Sequence, residues 1–235
     1  MNIIAHIETD YNEKFGIPRQ SGLNTAVEGR IVFEKEYRVA EAFRGLEDFS
    51  HIWILWQFSE AVRENWSPTV RPPLLGGNKR MGVFSTRSPF RPNNIGLSAV
   101  KLLRIEYTKN EGPVLIVQGA DLMNGTPIYD IKPYLPYADS IPDAVGGFTE
   151  GLGERRLTVE IPDDLKGKFP KEKLGGLIAV LEGDPRPSYQ NDPERIYTFT
   201  FAACEVSFSV DNGVLRVIGI GKKSKQKVDD SVRTR

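Results

Sequence analysis

Cysteine is nearly absent from this chain of 235 residues: Cys204 is its single thiol. One thiol excludes an internal disulfide framework and a Cys-rich metal site. Histidine is almost as scarce. His6 and His51 are the whole complement, too few for a histidine zinc site and few for a Ser-His-Asp triad. His51 opens an apolar run, where its ring reads as a hydrogen-bonding group at a strand start. No stretch of about 18 apolar residues occurs, so no membrane-spanning helix is expected. The opening MNIIAHIETDYNEKF lacks a basic start followed by a long apolar core, so it does not read as a secretory signal. The phosphate-cradling P-loop, a strand-borne GxGxxG and the GxSxG elbow are missing as well. GLGERR, from Gly151, is loosely similar to a dinucleotide loop, but no strand precedes it. A cytoplasmic protein without metal is the simple expectation.

Net charge is also missing: 31 Lys and Arg balance 31 Asp and Glu. That argues against a uniformly basic nucleic-acid binder. The average hides a local excess. Between Arg63 and Arg104 stand Arg63, Arg71, Lys79, Arg80, Arg87, Arg91, Lys101 and Arg104, against Glu64 alone. If they share a surface, these cations face a polyanion. If they spread over a solvated face, acids from elsewhere neutralise them.

Sixteen prolines and 22 glycines imply many turns and short strands. NIIAHIET, AVEGRIVFE, RMGVFST and PIYDIKPY read as strands, and HIWILWQF as a buried one. SAVKLLRIEYT and GPVLIVQGA flank KNEG as a hairpin. YRVAEAFRGLEDF has helical spacing at Val39, Ala42, Phe43 and Leu46 and predicts one short helix. PKEKLGGLIAVLEG predicts another, weakened by Gly175 and Gly176. IYTFTFAACEVSFSV, Asp-Asn-Gly and VLRVIGIG predict a hairpin. The fold class is therefore mainly β: a closed or strongly curved antiparallel barrel with short helices, plus a small α+β C-terminal domain. Closure removes exposed sheet edges. The boundaries are residues 1–145 for the barrel, 146–156 for a Gly-rich linker, 157–222 for the second domain and 223–235 for a polar tail.

Three polar segments, each fixed by glycine or proline, bracket the apolar strands: IPRQSG, STRSPFRPNNIG and NGTPIYDIKPYLPYADS. Each alone is an ordinary turn with a surface ion pair. Together they favour a ligand pocket. Asn124-Gly125 permits left-handed geometry that turns backbone amides toward a ligand. Asp130 and Lys132 are two apart, so on a strand they share a face.

PRQSG, RGLEDFSHIWILWQF, TVRPPLLGGNKRMGVFSTRSPFRPNNIGLS, NGTPIYDIKPYLPYADS and GDPRPSY occur in an order that resembles the TrmO (YaeB/TsaA-like) family. These are S-adenosylmethionine-dependent tRNA methyltransferases with a β-barrel domain. The resemblance is dense over residues 3–145 and thinner beyond. It implies methylation of N6 of threonylcarbamoyladenosine, the base just 3′ of the anticodon, by a homodimer holding S-adenosylmethionine near its subunit interface. It implies cofactor contacts from Pro18, Arg19, Gln20, Ser59, Glu60, Arg87, Leu97, Asn124, Gly125, Thr126 and Pro127. Relatives commonly carry Asp where Asn124 stands and Pro where Asn94 stands.

Methyl transfer from a sulfonium works chiefly by positioning. Arg19 or Arg87 would pair with the cofactor carboxylate. The substrate N–H lies between a purine and a carbamoyl group and is more acidic than a plain amine, so a general base helps. Asp130 or Tyr134 is expected in that role, with Lys132 offsetting charge. Arg71, Lys79, Arg80 and Arg91 are expected to meet tRNA phosphates, with Arg186 of DPRP adding a contact from the second domain. Arg91 alternatively grips the threonyl carboxylate. Phe90 is the expected base-stacking ring, while Trp53 and Trp56 read as core. The competing reading is a barrel that binds tRNA or a nucleotide without catalysis, which needs the basic face but no cofactor pocket.

Overall fold

The structure, a computed structural model, describes residues 1–62, 64–150, 156–186 and 192–222. Eight strands lie in the N-terminal part: β1 (Ala5–Glu8), β2 (Glu28–Phe33), β3 (His51–Gln57), β4 (Thr69–Val70), β5 (Met81–Gly82), β6 (Ile95–Thr108), β7 (Gly112–Gln118) and β8 (Pro127–Pro133). Six of them close a barrel in the order β1-β2-β7-β6-β3-β8. The remaining two, β4 and β5, pair as a small ribbon, Thr69 opposite Gly82 and Val70 opposite Met81. All pairings in the barrel are antiparallel.

Period-two alternation closes this barrel. In β3, Ile52, Ile54 and Trp56 are buried while Trp53, Leu55 and Gln57 point outward. The inward set packs with Ala5, Ile7, Ile31, Leu115, Val117 and Ile128 in one core. Gly96 admits the Trp56 indole: a Cβ there would lie 2.2 Å from the ring. The outer wall is more polar. There Asp130 stands beside Leu55, Lys132 beside Trp53, and Leu97 on the other side of Leu55.

Several local expectations are corrected. YRVAEAFRGLEDF forms three separate single-turn 3-10 segments, at 35–37, 40–43 and 46–48, not an α-helix. Gly45, at φ +83°, interrupts the helical spacing. RMGVFST keeps only Met81–Gly82 as strand and then turns at 83–85. A four-residue α1 (Pro136–Asp139) follows β8. Trp53 is half-buried on the outer wall, where its Nε1 donates to Asp139 Oδ2 at 2.9 Å. That bond and the Leu135 amide, the larger influence, hold the Asp139 carboxyl below the usual range.

The C-terminal part contains β9 (Thr158–Glu160), α2 (Asp163–Lys166), α3 (Leu174–Glu182), β10 (Tyr197–Phe201), β11 (Cys204–Asp211) and β12 (Val214–Lys222). The sheet order is β10-β11-β12-β9, with β9 parallel to β12. Asn212-Gly213 makes the expected hairpin turn, with φ of 46° and 79°. IYTFTFAACEVSFSV is two strands, divided by a tight turn at Ala202-Ala203. The 223–235 tail and most of the Gly-rich linker after Glu150 lie outside the described residues.

The two sheets share a connection. Tyr11 and Val27, from the segment between β1 and β2, are buried in the C-terminal core with Leu177, Phe199, Phe201 and Phe208, and Phe15 and Ile17 pack against it. Ala202 N–H donates to Asp10 O at 3.1 Å, Thr200 N–H to Glu13 Oε1 at 2.6 Å, and Lys173 Nζ to Asp10 Oδ2 at 2.7 Å. The C-terminal sheet thus grips the loop that carries Pro18, Arg19 and Gln20.

Candidate active site

Three connections leave the same end of the barrel: residues 9–27 between β1 and β2, 58–94 between β3 and β6, and 119–126 between β7 and β8. The antiparallel register requires it, because Glu8, Glu28, Gln57, Ile95, Gln118 and Pro127 are the strand termini there. Every residue expected to touch the cofactor belongs to this end. Pro18, Arg19 and Gln20 lie in the first connection, Ser59, Glu60 and Arg87 in the second, Asn124, Gly125 and Thr126 in the third. Pro127 opens β8, and Leu97 stands near the start of β6, outward and exposed.

Side chains join these connections. The Arg87 guanidinium donates to Gln20 Oε1. Gln20 Nε2 donates to Arg19 O at 2.5 Å. Lys14 Nζ donates to Glu60 O at 2.5 Å, and Phe58 N–H to Asn94 O at 3.0 Å. The Arg87 guanidinium and the Gln20 carboxamide therefore meet at the mouth of the barrel, with the Arg19 backbone carbonyl behind them; a guanidinium there suits a small anion such as a carboxylate. Thr126 is buried, with its hydroxyl on Met123 O at 2.7 Å.

The NGTP turn departs from expectation in one respect. Its amides do not face outward to a ligand: Asn124 N–H donates to Tyr11 O and Gly125 N–H to Ile7 O, both at 2.8 Å, and Thr126 N–H to Met123 O at 3.1 Å. Gly125 takes φ +80° to close that turn. The Asn124 carboxamide oxygen accepts the Thr9 amide at 3.1 Å. The turn's amide donors are thus spent within the fold, the Gly125 amide on β1 and the Asn124 amide on the loop after it.

Asp121 is a site residue that the sequence reading missed. It follows the apolar β7 and sits behind Arg87. Trp56 Nε1 donates to Ser98 Oγ at 2.9 Å, and Ser98 Oγ donates to Asp121 Oδ1 at 2.6 Å. Burial pushes the Asp121 carboxyl up; the Ser98 hydroxyl, the Arg87 charge and the Ser21 amide pull the other way. Asp121 thus ties the Trp56–Ser98 chain to the neighbourhood of Ser21 and Arg87. The available signal was an acid placed directly between an all-apolar strand and the NGTP turn. Burial, followed by the charges of Asp10 and Asp121, also raises the Tyr11 phenol above its ordinary value.

The three acid–base candidates fall elsewhere. Asp130 and Lys132 do share a face, with Lys132 Nζ 2.8 Å from Asp130 Oδ2, but that face is the outer wall. Tyr134 lies at the opposite end of β3, its N–H on His51 O at 3.0 Å and its ring 5.5 Å from that of Trp53. At about 3.3 Å per residue, Tyr134 is on the order of 20 Å along the chain from Pro127. Within one chain it is not part of the mouth.

The basic segment narrows. Arg63 lies outside the described residues. Arg104 is neutralised by Glu106, 2.8 Å away, and faces Glu28 at 3.7 Å. Arg71, Lys79 and Arg80 are exposed on or beside the β4–β5 ribbon and meet no acid among the described residues. Arg91 Nη1 donates to Thr86 O at 2.8 Å. Phe90 is half-buried at the base of the same loop. Arg186 corrects an expectation. It is buried, with Nε 2.8 Å from Asp184 Oδ1 and Nη2 3.0 Å from Asp184 Oδ2. A guanidinium already bonded at both ends within the fold offers no cation to a phosphate. Its carbonyl instead accepts from Arg19 Nη2 at 3.4 Å.

Residues 6–140 match the family model for the tRNA-methyltransferase O N-terminal domain, and residues 155–223 the model for the TrmO C-terminal domain. The chain belongs to the TrmO family. It is 42% identical over 203 residues to a tRNA (adenine(37)-N6)-methyltransferase of Escherichia coli, covering 83% of this chain and 86% of that one. A protein of the same description from Eikenella corrodens is 45% identical, over 71% of this chain and 93% of its own length. The crystal structure of TrmO from Pseudomonas aeruginosa superposes with a TM-score of 0.74 at 30% identity, covering 93% of this chain and 96% of that one. The protein is therefore an enzyme, which sets aside the binding-module reading, and its mainly β fold with a closed barrel is the fold of its family. Among the described residues no group of His, Cys, Asp and Glu is placed to hold a metal ion, and no helix is long and apolar enough to cross a membrane.

Proposed function

We propose that this enzyme transfers a methyl group from S-adenosylmethionine to N6 of threonylcarbamoyladenosine at position 37 of tRNA, as a homodimer in the cytoplasm. The observation that carries the reading is the contact of Arg87 with Gln20, which joins two of the three connections at one mouth of the barrel, beside a ribbon of exposed cations. The relatives named tRNA (adenine(37)-N6)-methyltransferase support the reaction and the position. The cofactor, when bound, supplies an electrophilic methyl group. Arg87 and Arg19 hold its carboxylate, and Gln20 orients Arg87. Asp121 keeps that arginine and the Ser21 turn in place from behind. Arg71, Lys79, Arg80 and Arg91 take the tRNA phosphates, positioning the substrate without reading its sequence.

The N6 proton leaves with the help of a base. Asp130 shares the outer wall with Leu97, the two flanking Leu55, and it takes the proton in this scheme while Lys132 offsets the charge. Methyl transfer from labelled S-adenosylmethionine to tRNA with and without the threonylcarbamoyl group tests the proposal. Label confined to modified tRNA supports it. Label in neither, with no cofactor binding by calorimetry, would sink it. Equal label in both would remove the threonylcarbamoyl requirement and leave adenine 37 as the substrate. Full turnover by Asp130→Asn would remove the base.

A further inference from the structure

The β4–β5 ribbon carries an aromatic pair that nothing in the cofactor site uses. Trp66 precedes β4 and Phe84 follows β5. Their rings stack at 26° with centroids 6.0 Å apart, yet Trp66 is 48% and Phe84 71% exposed. Single exposed rings are ordinary, but a stacked pair left in water exposes apolar area that folding could have covered. The pair is also held rigidly. Val83 N–H donates to Pro68 O at 3.0 Å and Ser67 N–H to Phe90 O at 3.1 Å, while the Thr86 hydroxyl closes the turn on Val83 O at 2.8 Å.

A cation completes the arrangement. The Arg91 guanidinium, fixed by Thr86 O, lies 5.9 Å from the centre of the Phe84 ring. Trp66, Phe90, Arg91 and Pro92 line a cleft of about 180 Å³ beside the pair's Trp66, with Asn65, Asn94 and the Glu64 carboxylate as its polar edge. Exposed flat rings, a guanidinium plane and exposed cations nearby are the combination that holds an unpaired nucleobase on a polyanionic backbone. An anionic lipid surface or an acidic peptide would also meet Arg71, Lys79 and Arg80, but neither presents the flat bases that a stacked aromatic pair and a guanidinium accept.

We propose that Trp66 and Phe84, with Arg91, form a stacking platform for one unpaired base of the tRNA anticodon loop, a site separate from the cofactor mouth. The platform supplies the grip on the loop that phosphate contacts alone lack. It rests on the reading of tRNA as substrate. Phe90, the ring expected for this role, is the floor of the cleft, and the two exposed rings are the platform itself.

The test uses anticodon stem-loop hairpins with one abasic substitution at each loop position in turn, bound to the full-length enzyme and to Trp66→Ala/Phe84→Ala. At one position, base removal should weaken binding to the wild-type enzyme about tenfold or more and leave the double variant unaffected. Trp66→Phe, which keeps a ring, should retain most of the affinity, and its lost emission should identify Trp66 as the fluorophore that the intact hairpin quenches. If the losses from base removal and from ring removal multiply at every loop position, the platform is wrong while tRNA binding stands. If the wild-type enzyme neither binds the hairpin nor methylates tRNA, the substrate reading fails and takes the platform with it.

Discussion

Gly16 lies directly against the ring of Phe199: a Cβ on Gly16 would sit 2.7 Å from Phe199 Cδ2. The contact joins the loop that carries Arg19 and Gln20 to the C-terminal sheet. Gly16 also holds φ +95°, which side chains rarely adopt. Gly16→Ala should cost about 1–3 kcal/mol through strain and overpacking. Because the cofactor loop is fixed at this contact, affinity for S-adenosylmethionine should drop as well, by roughly tenfold or about 1.4 kcal/mol. Gly22→Ala is the control, since Gly22 has φ +81° but nothing within 4 Å of the added carbon. Calorimetry that finds the two variants equal in cofactor affinity would deny the C-terminal sheet a part in holding the loop.

Asp121 gives a pH dependence of definite sign. Its carboxyl is raised in the folded protein, chiefly by burial, so the folded state holds the proton more tightly than the unfolded chain. Its contribution to stability then falls as pH rises from about 4, the unfolded value, through the folded value, and stays level above it. Asp121→Asn keeps an oxygen to accept the Ser98 hydroxyl and removes the buried charge. Thermal unfolding should show the variant at least as stable as wild type at pH 7, with the gap closing toward pH 4. A variant less stable than wild type at pH 7 that gains on it toward acid would reverse the sign and refute the assignment.

The barrel was legible because its strands declare themselves locally: apolar runs in β3 and β7, a turn between β6 and β7; that β3 buries only alternate residues emerged from the fold. Its closure followed from the lack of long helices to cover an open sheet. The order of motifs was legible too, and the register brings the PRQSG, TRSPFRPNN and NGTP segments to one end. Tertiary facts were not. Arg186 sits in a polar, proline-rich stretch that reads as surface, and only the placement of Asp184 shows its charge to be answered within the fold. Asp121 is one acid among 31 in the sequence and acquires its role from Ser98 and Arg87, which are distant in the chain. Asp130 and Tyr134 share a segment with the NGTP turn, but a strand carries them away from it.

The turn between β10 and β11 is built from the wrong residues for its shape. Ala202 and Ala203 both take positive φ, 47° and 60°, the geometry of a two-residue hairpin turn that favours Asn-Gly. The next hairpin has that pair, Asn212-Gly213. Left-handed backbone costs an L-residue about 1–2 kcal/mol, so Ala203→Gly should stabilise the protein by about 1 kcal/mol. At this chain length that is roughly 2–4 °C in Tm. No change or a fall in Tm would mean that the two alanines do not adopt this turn.

Arg71 and Arg186 separate the surface cation from the structural one. Both were candidates for tRNA contact, and the structure divides them. Arg71 is exposed beside the β4–β5 ribbon, whereas the Arg186 side chain is 9% exposed and bonded to Asp184. Replacing Arg71 by Ala should weaken tRNA binding similarly for different tRNAs. It should also lessen the salt slope, log Kd against log salt, by about 0.7–1, the release of counterions from one phosphate. Thermal stability should hold. Arg186→Ala should do the reverse: the salt slope stays as in wild type, and stability falls by roughly 2–3 kcal/mol as Asp184 loses its charge-assisted bonds. Binding isotherms at several salt concentrations, with unfolding curves for the same two variants, decide the matter. A reduced slope in Arg186→Ala with unchanged stability would return that residue to the RNA surface.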